Sequence, residues 1–71
     1  MKDNPRFAMT LLSNDFRYEA AGNDLKPALQ HIQNISLVCE PACLWEWNGQ
    51  DYEPRYIALK GYLFEQMKDG L

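Results

Sequence analysis

The sequence predicts a small α+β domain of order β-β-α-β-α, with a three-stranded or possible four-stranded sheet and two helices packed on one face. Three observations carry this. Apolar residues recur at three- and four-residue steps through residues 24 to 39. Apolar and polar residues alternate before that, from residue 7 to residue 21, and a second helical spacing follows Pro54. The whole chain, residues 1 to 71, is expected to form one small domain with residues 1 to 5 as a loose tail. A domain of this size buries only about 60% of its unfolded surface, so its apolar residues must be used nearly in full, with a homodimer as one way to enlarge the core.

In chain order, Phe7, Met9 and Leu11 alternate with Ala8, Thr10 and Leu12 as a strand with one face on a core does. Ser13-Asn14-Asp15 supplies turn chemistry. Phe16, Tyr18 and Ala20 then alternate with Arg17 and Glu19, so residues 6 to 21 read as an antiparallel hairpin that ends at Gly22-Asn23.

The first helix is the best-marked element. Leu25, Ala28, Leu29, Ile32, Ile35, Ser36 and Cys39 line one stripe, with Lys26, Gln30, Gln33 and Asn34 outside it. Asp24 is placed to cap the first turn. Pro27 falls at the third helical position, where no intrahelical bond is due from its nitrogen, and Pro41 steers the chain out of helical geometry.

Leu44 to Trp47 reads as the next strand, and if it runs parallel to the strand before the helix, that helix is a right-handed crossover. After it, Tyr56, Leu59, Leu63, Phe64 and Met67 share one side of an expected second helix, with Lys60 inside the stripe, Gly61 weakening its interior, and Lys68, Gly70 and Leu71 as its end signals. One competing reading is a strand through Tyr56 to Leu59 in place of that helix; a separate one makes Asn48-Gly49 a tight hairpin turn with residues 50 to 53 as a fourth strand, its length limited by Pro54. Twenty-seven residues separate two passages with matching Gly, Asp and Pro, Gly22-Asn23-Asp24-Leu25-Lys26-Pro27 and Gly49-Gln50-Asp51-Tyr52-Glu53-Pro54. Both are read as strand, corner, helix, with convergent corner chemistry or an old duplication as the two explanations.

Ten acidic and seven basic side chains give a net charge of −3, which opposes direct contact with a phosphate backbone. No apolar run approaches the ~20 residues of a membrane span, and the run in residues 7 to 12 is too short for a signal-peptide core. The expectation is a cytoplasmic protein with Cys39 and Cys43 kept as thiols.

Nothing in the chain assembles a catalytic set. His31, the only histidine, lies at the margin of the helical stripe with no nucleophile or carboxylate at a recognisable spacing. Cys39 and Cys43 have three residues between them, wrong for a zinc knuckle or a redox pair, and with His31 they make three ligands where a closed zinc site takes four. No cofactor or metal is expected. A small enzyme or ligand-binding protein around His31 is the least favoured alternative.

The strongest functional signal is compositional. Residues 40 to 53 carry Glu40, Glu46, Asp51 and Glu53 with no base, together with Trp45, Trp47 and Tyr52. Acids beside large aromatic anchors suit the surface of a protein partner with basic character. Trp45 and Trp47 fall on one face of their strand, read as the core side, with Leu44, Glu46 and Asn48 outward. The function that follows is a small acidic protein-binding module, an inhibitor or modulator of a larger protein complex, such as one that handles nucleic acid. The alternative is a homodimeric structural or regulatory protein completed through Ile57, Tyr62 and Phe64.

Overall fold

The computed structural model describes residues 4–38 and 41–66. Its elements are β1 (Phe7–Leu11), a 3-10 turn (Leu12–Asn14), β2 (Glu19–Gly22), α1 (Leu25–Val38), β3 (Ala42–Trp47), β4 (Tyr52–Leu59) and β5 (Tyr62–Glu65). The five strands form a single antiparallel sheet of order β2-β1-β3-β4-β5. Since β2 and β3 both run antiparallel to β1, they are parallel to each other on its two flanks, and α1 carries the chain across.

The helix forms where its stripe and caps place it. Ala28 donates its N–H to the carbonyl of Asp24, which makes Asp24 the first cap, and Pro27 takes the third helical position. Ala28 and Ile32 are sealed against Phe7, Met9, Ala42, Leu44 and Ala58, with Leu25, Leu29 and Ile35 packed around them. Alanines on the helix and on two strands let the layers approach closely, so the core is thin and tightly filled.

The expected second helix is absent, and with it the β-β-α-β-α order. Residues 52 to 65 fold instead as the hairpin of β4 and β5, turning at Lys60 (φ 49°) and Gly61 (φ 86°). Two successive left-handed residues make the tight turn whose twist matches paired strands. Tyr52, Tyr56, Ile57, Tyr62 and Phe64 are all strand formers, and pairing with β3 outweighs the helical spacing. The competing strand through residues 56 to 59 and the separate one in residues 50 to 53 are nearer, but they are one continuous strand from Tyr52. Pro54 does not end it, because it lies at a register shift between β3 and β4, where the ladder is already irregular. Met67, Lys68, Gly70 and Leu71 lie outside the described residues, as does Cys39 at the end of the helical stripe.

Two smaller expectations also change. The second strand begins at Glu19 and not at Phe16, because Asp15 (φ 61°) and Phe16 (φ 58°) are both left-handed and break the extended run. The two glycine corners share positive φ, 94° at Gly22 and 104° at Gly49, yet the first leads into α1 and the second into β4. The 27-residue echo is therefore one of corner chemistry without a repeated unit.

One contact fixes the far end of the hairpin to the helix. Gly61 donates its N–H to Ser36 Oγ at 2.9 Å, and Gln33 Nε2 donates to the Gly61 carbonyl at 2.7 Å. Ser36, buried on α1, in turn donates to the carbonyl of Gln33 at 2.8 Å. No helix among the described residues is long and apolar enough to cross a membrane.

Candidate functional site

Only one face of the sheet is covered by the helix, and the side chains that alternate away from it build the candidate site. On β3, Leu44 is fully buried under α1, so Cys43, Trp45 and Trp47 project from the opposite face. This reverses the sequence expectation that both tryptophans lie on the core side with Leu44 outward. The set Ala42, Leu44 and Glu46 carries a charge and the set Cys43, Trp45 and Trp47 does not, so polarity alone points to the wrong face; Arg6 and Arg55 pair the Glu46 carboxylate on the helix side. The small side chain of Ala42 fits the close helix layer, and the two indoles do not.

The two tryptophans sit in different surroundings. Trp45 stands opposite Ala8 in the register with β1, and its indole N–H donates at 2.9 Å to Oγ1 of Thr10, a residue only 4% exposed. It acts as the lid of a second small core. Trp47 packs its ring against Tyr52 at a centroid separation of 5.1 Å, and among the described residues its indole N–H has no hydrogen-bond partner.

Tyr18 joins this cluster from the loop before β2. Its ring meets Trp45 edge-on at 5.5 Å and Tyr52 at 4.9 Å with a 36° tilt. The hydroxyl of Tyr52 donates to the carbonyl of Pro5 at 2.7 Å. Burial, and then the neighbouring Tyr18, push the Tyr52 phenol above its ordinary value of 10.0, so it stays neutral. Next along the chain from Pro5, Trp47 donates its backbone N–H to the Arg6 carbonyl at 2.8 Å, and Arg6 donates its own to Asn23 Oδ1 at 2.9 Å.

Where these rings end, Asn4, Tyr18, Trp47, Asp51 and Tyr52 line an open cleft of about 440 Å³. Asp51 reaches its rim through the turn after β3. Asn48 Oδ1 accepts the backbone N–H groups of Gln50 and Asp51, each at 2.8 Å, while the Asn48 N–H donates to the Asp51 carbonyl at 2.9 Å. The Asp51 backbone is thus engaged, and its carboxylate has no partner among the described residues.

The acids of the expected patch do not act together. Glu46 lies on the helix side of its strand, held by Arg6 Nε at 2.8 Å and Arg55 Nη1 at 2.6 Å. Glu53 stands opposite Glu46 in the sheet and accepts from Asn48 Nδ2 at 2.8 Å. Glu40 lies outside the described residues. Of the seven residues singled out by sequence, Trp45, Trp47, Tyr52 and Asp51 are brought together, and Glu46 and Glu53 are drawn into the ladder. Tyr18 and Asn4 were missed. Tyr18 left a trace in the sequence, since it shares an alternation with Ala20, which pairs with Ala8 beneath Trp45.

Elsewhere, His31 is exposed on α1, and Cys43 is a half-buried free thiol on β3. Among the described residues no three His, Cys, Asp or Glu side chains are grouped to hold a metal ion. No family model, curated protein or solved structure matches this chain.

Proposed function

We propose that this chain is a small acidic protein-binding module that presents the aromatic end of its helix-free sheet face to a basic surface of a larger protein, inhibiting or modulating it. The observation that supports the reading is the cluster of Tyr18, Trp47 and Tyr52 opening onto a cleft with Asp51 at its rim. Rigid aromatic side chains give large contact area at low conformational cost, and central aromatic anchors carry most of the energy of typical interfaces. The net charge of −3 speeds encounter with a basic partner and disfavours acidic ones. A complex that handles nucleic acid is one class of partner with such a surface, and a cytoplasmic setting suits the free thiol of Cys43.

The test is affinity capture from the native host with wild type beside two folded variants, Trp47→Ala and Asp51→Lys. A stoichiometric partner held by wild type and released by both variants supports the reading. A partner held equally by all three contradicts the site. Glu46→Lys is unsuitable here, because Glu46 bridges two arginines of its own chain.

A second reading, a homodimer, has its own observation. Tyr62 and Phe64 of β5 lie beside Leu59 and Ile57 of β4 on the helix-free face, and Tyr62 and Phe64 are 71% and 52% exposed. The tight turn makes Leu59 and Tyr62 a mutually hydrogen-bonded pair, so the N–H and C=O groups of Leu63 and Glu65 point away from β4. An antiparallel pairing of β5 with its copy, centred on Phe64, satisfies all of these groups and sets Leu63 against the partner copy's edge with no like charges opposed. Molar mass in solution separates the readings. A monomer at high concentration removes the dimer, and a dimer lost in Phe64→Lys with the fold intact supports it.

A further inference from the structure

Resting on the protein-binding reading, we infer that the cleft between Tyr18, Trp47, Tyr52 and Asp51 takes one arginine side chain of the partner. Three of the five described lining residues are aromatic, and the Tyr52 ring meets Tyr18 at 36° and Trp47 at 63°, so the ring faces at the cleft are turned in different directions. Such rings offer negative π faces that attract a cation. Among the described residues Asp51 supplies the only formal charge in the lining, and none of their bases neutralises its carboxylate. An apolar guest would strip water from that carboxylate without replacing its hydrogen bonds, and an anion would be repelled. A cation satisfies both the rings and the carboxylate.

Among cations the geometry favours a guanidinium over an ammonium. The guanidinium is planar, weakly hydrated and able to lie flat on a ring while its N–H fork faces a carboxylate, whereas an ammonium is a compact and strongly hydrated point charge. Asn4, also in the lining, has a side-chain carbonyl oxygen as a further acceptor for the remaining N–H groups. With a volume of about 440 Å³ open to solvent, the cleft suits a side chain delivered on another protein's surface. Tyr52 is pre-set for the role. Its hydroxyl is engaged by Pro5, so the ring orientation is fixed before any guest arrives.

The experiment is a titration of the isotope-labelled protein with a blocked Gly-Arg-Gly peptide, following the indole N–H signal of Trp47 by NMR. The citrulline peptide, of the same shape without the charge, and the lysine peptide are run in parallel. The methyl signals of Ile32, buried between α1 and the sheet, report that the fold is unchanged. The expected result is a saturable shift at Trp47 with the arginine peptide, about fivefold or more weaker with either control, and about fivefold or more weaker in the Asp51→Asn variant. Equal response to citrulline or lysine, or an Asp51→Asn variant that binds as wild type does, overturns the inference. A flat arginine titration also overturns it. If a captured partner is still released by Trp47→Ala, that flat titration removes only the arginine site; if no partner depends on Trp47, the protein-binding reading falls with it.

Discussion

The indole N–H of Trp45 and the hydroxyl of Thr10 join β3 to β1 at 2.9 Å on the face of the sheet that no helix covers. This bond separates the two tryptophans by role, Trp45 closing a small core over Ala8 and Thr10 while Trp47 stands beyond it at the cleft. Replacing Thr10 by Val leaves a half-buried indole donor without its acceptor. Destabilisation of about 1–3 kcal/mol is expected in urea unfolding, with an unchanged slope. Trp47→Phe should cost less, and a larger loss at Trp47 than at Thr10 would contradict the division.

Ser36 ties the helix to the β4–β5 turn through the N–H of Gly61. Ser36→Ala removes an acceptor that is 6% exposed and should cost about 1–2 kcal/mol. Hydrogen exchange checks the mechanism, since the Gly61 amide should lose protection more than the amides of β1 do.

The Lys60-Gly61 turn is strained at its first residue, a lysine held at φ 49°. Lys60→Asn should stabilise the protein by roughly 0.5–1 kcal/mol, because asparagine enters left-handed geometry more readily. Gly61→Ala should destabilise it by about 1–2 kcal/mol through its positive φ. A new Cβ would also lie 2.7 Å from Leu37 Cδ2, but Leu37 is a flexible exposed side chain that can move away. Thermal midpoints of the two variants should therefore shift in opposite directions.

Tyr52 sets an alkaline limit. Its pKa is raised in the folded state, so the native chain holds the phenolic proton after the unfolded chain has begun to lose it at its ordinary value of 10.0. The stability this contributes is fully present below that pH and is lost as pH rises through the folded value. Compared with Tyr52→Phe, wild type should therefore lose stability more steeply above pH 10.0, measured by urea unfolding at stepped pH. Parallel curves would contradict the assignment.

What the sequence made legible follows from how local each signal is. Leu25–Val38 carries its stripe, cap and proline position in one stretch, and the helix forms there. The β4–β5 hairpin does not announce itself, because its turn is Lys-Gly where Asn-Gly would be the strong signal, and its apolar spacing fits a helix as well as two strands. What decides for strands is pairing with β3, a long-range contact that no local pattern contains. The same holds for the site. The aromatic and acidic content of residues 40 to 53 was visible, but the side of the sheet that each residue takes depends on where α1 packs. Arg6 and Arg55, distant in sequence, then remove Glu46 from the acidic surface.

The central claim is that the helix-free aromatic end of the sheet is a surface for another protein, and paired capture with wild type and Trp47→Ala tests it most directly. Circular dichroism and the Ile32 methyl signals establish that both are folded. The account predicts a stoichiometric partner on wild type and its loss on Trp47→Ala. A partner retained undiminished by the variant would contradict it.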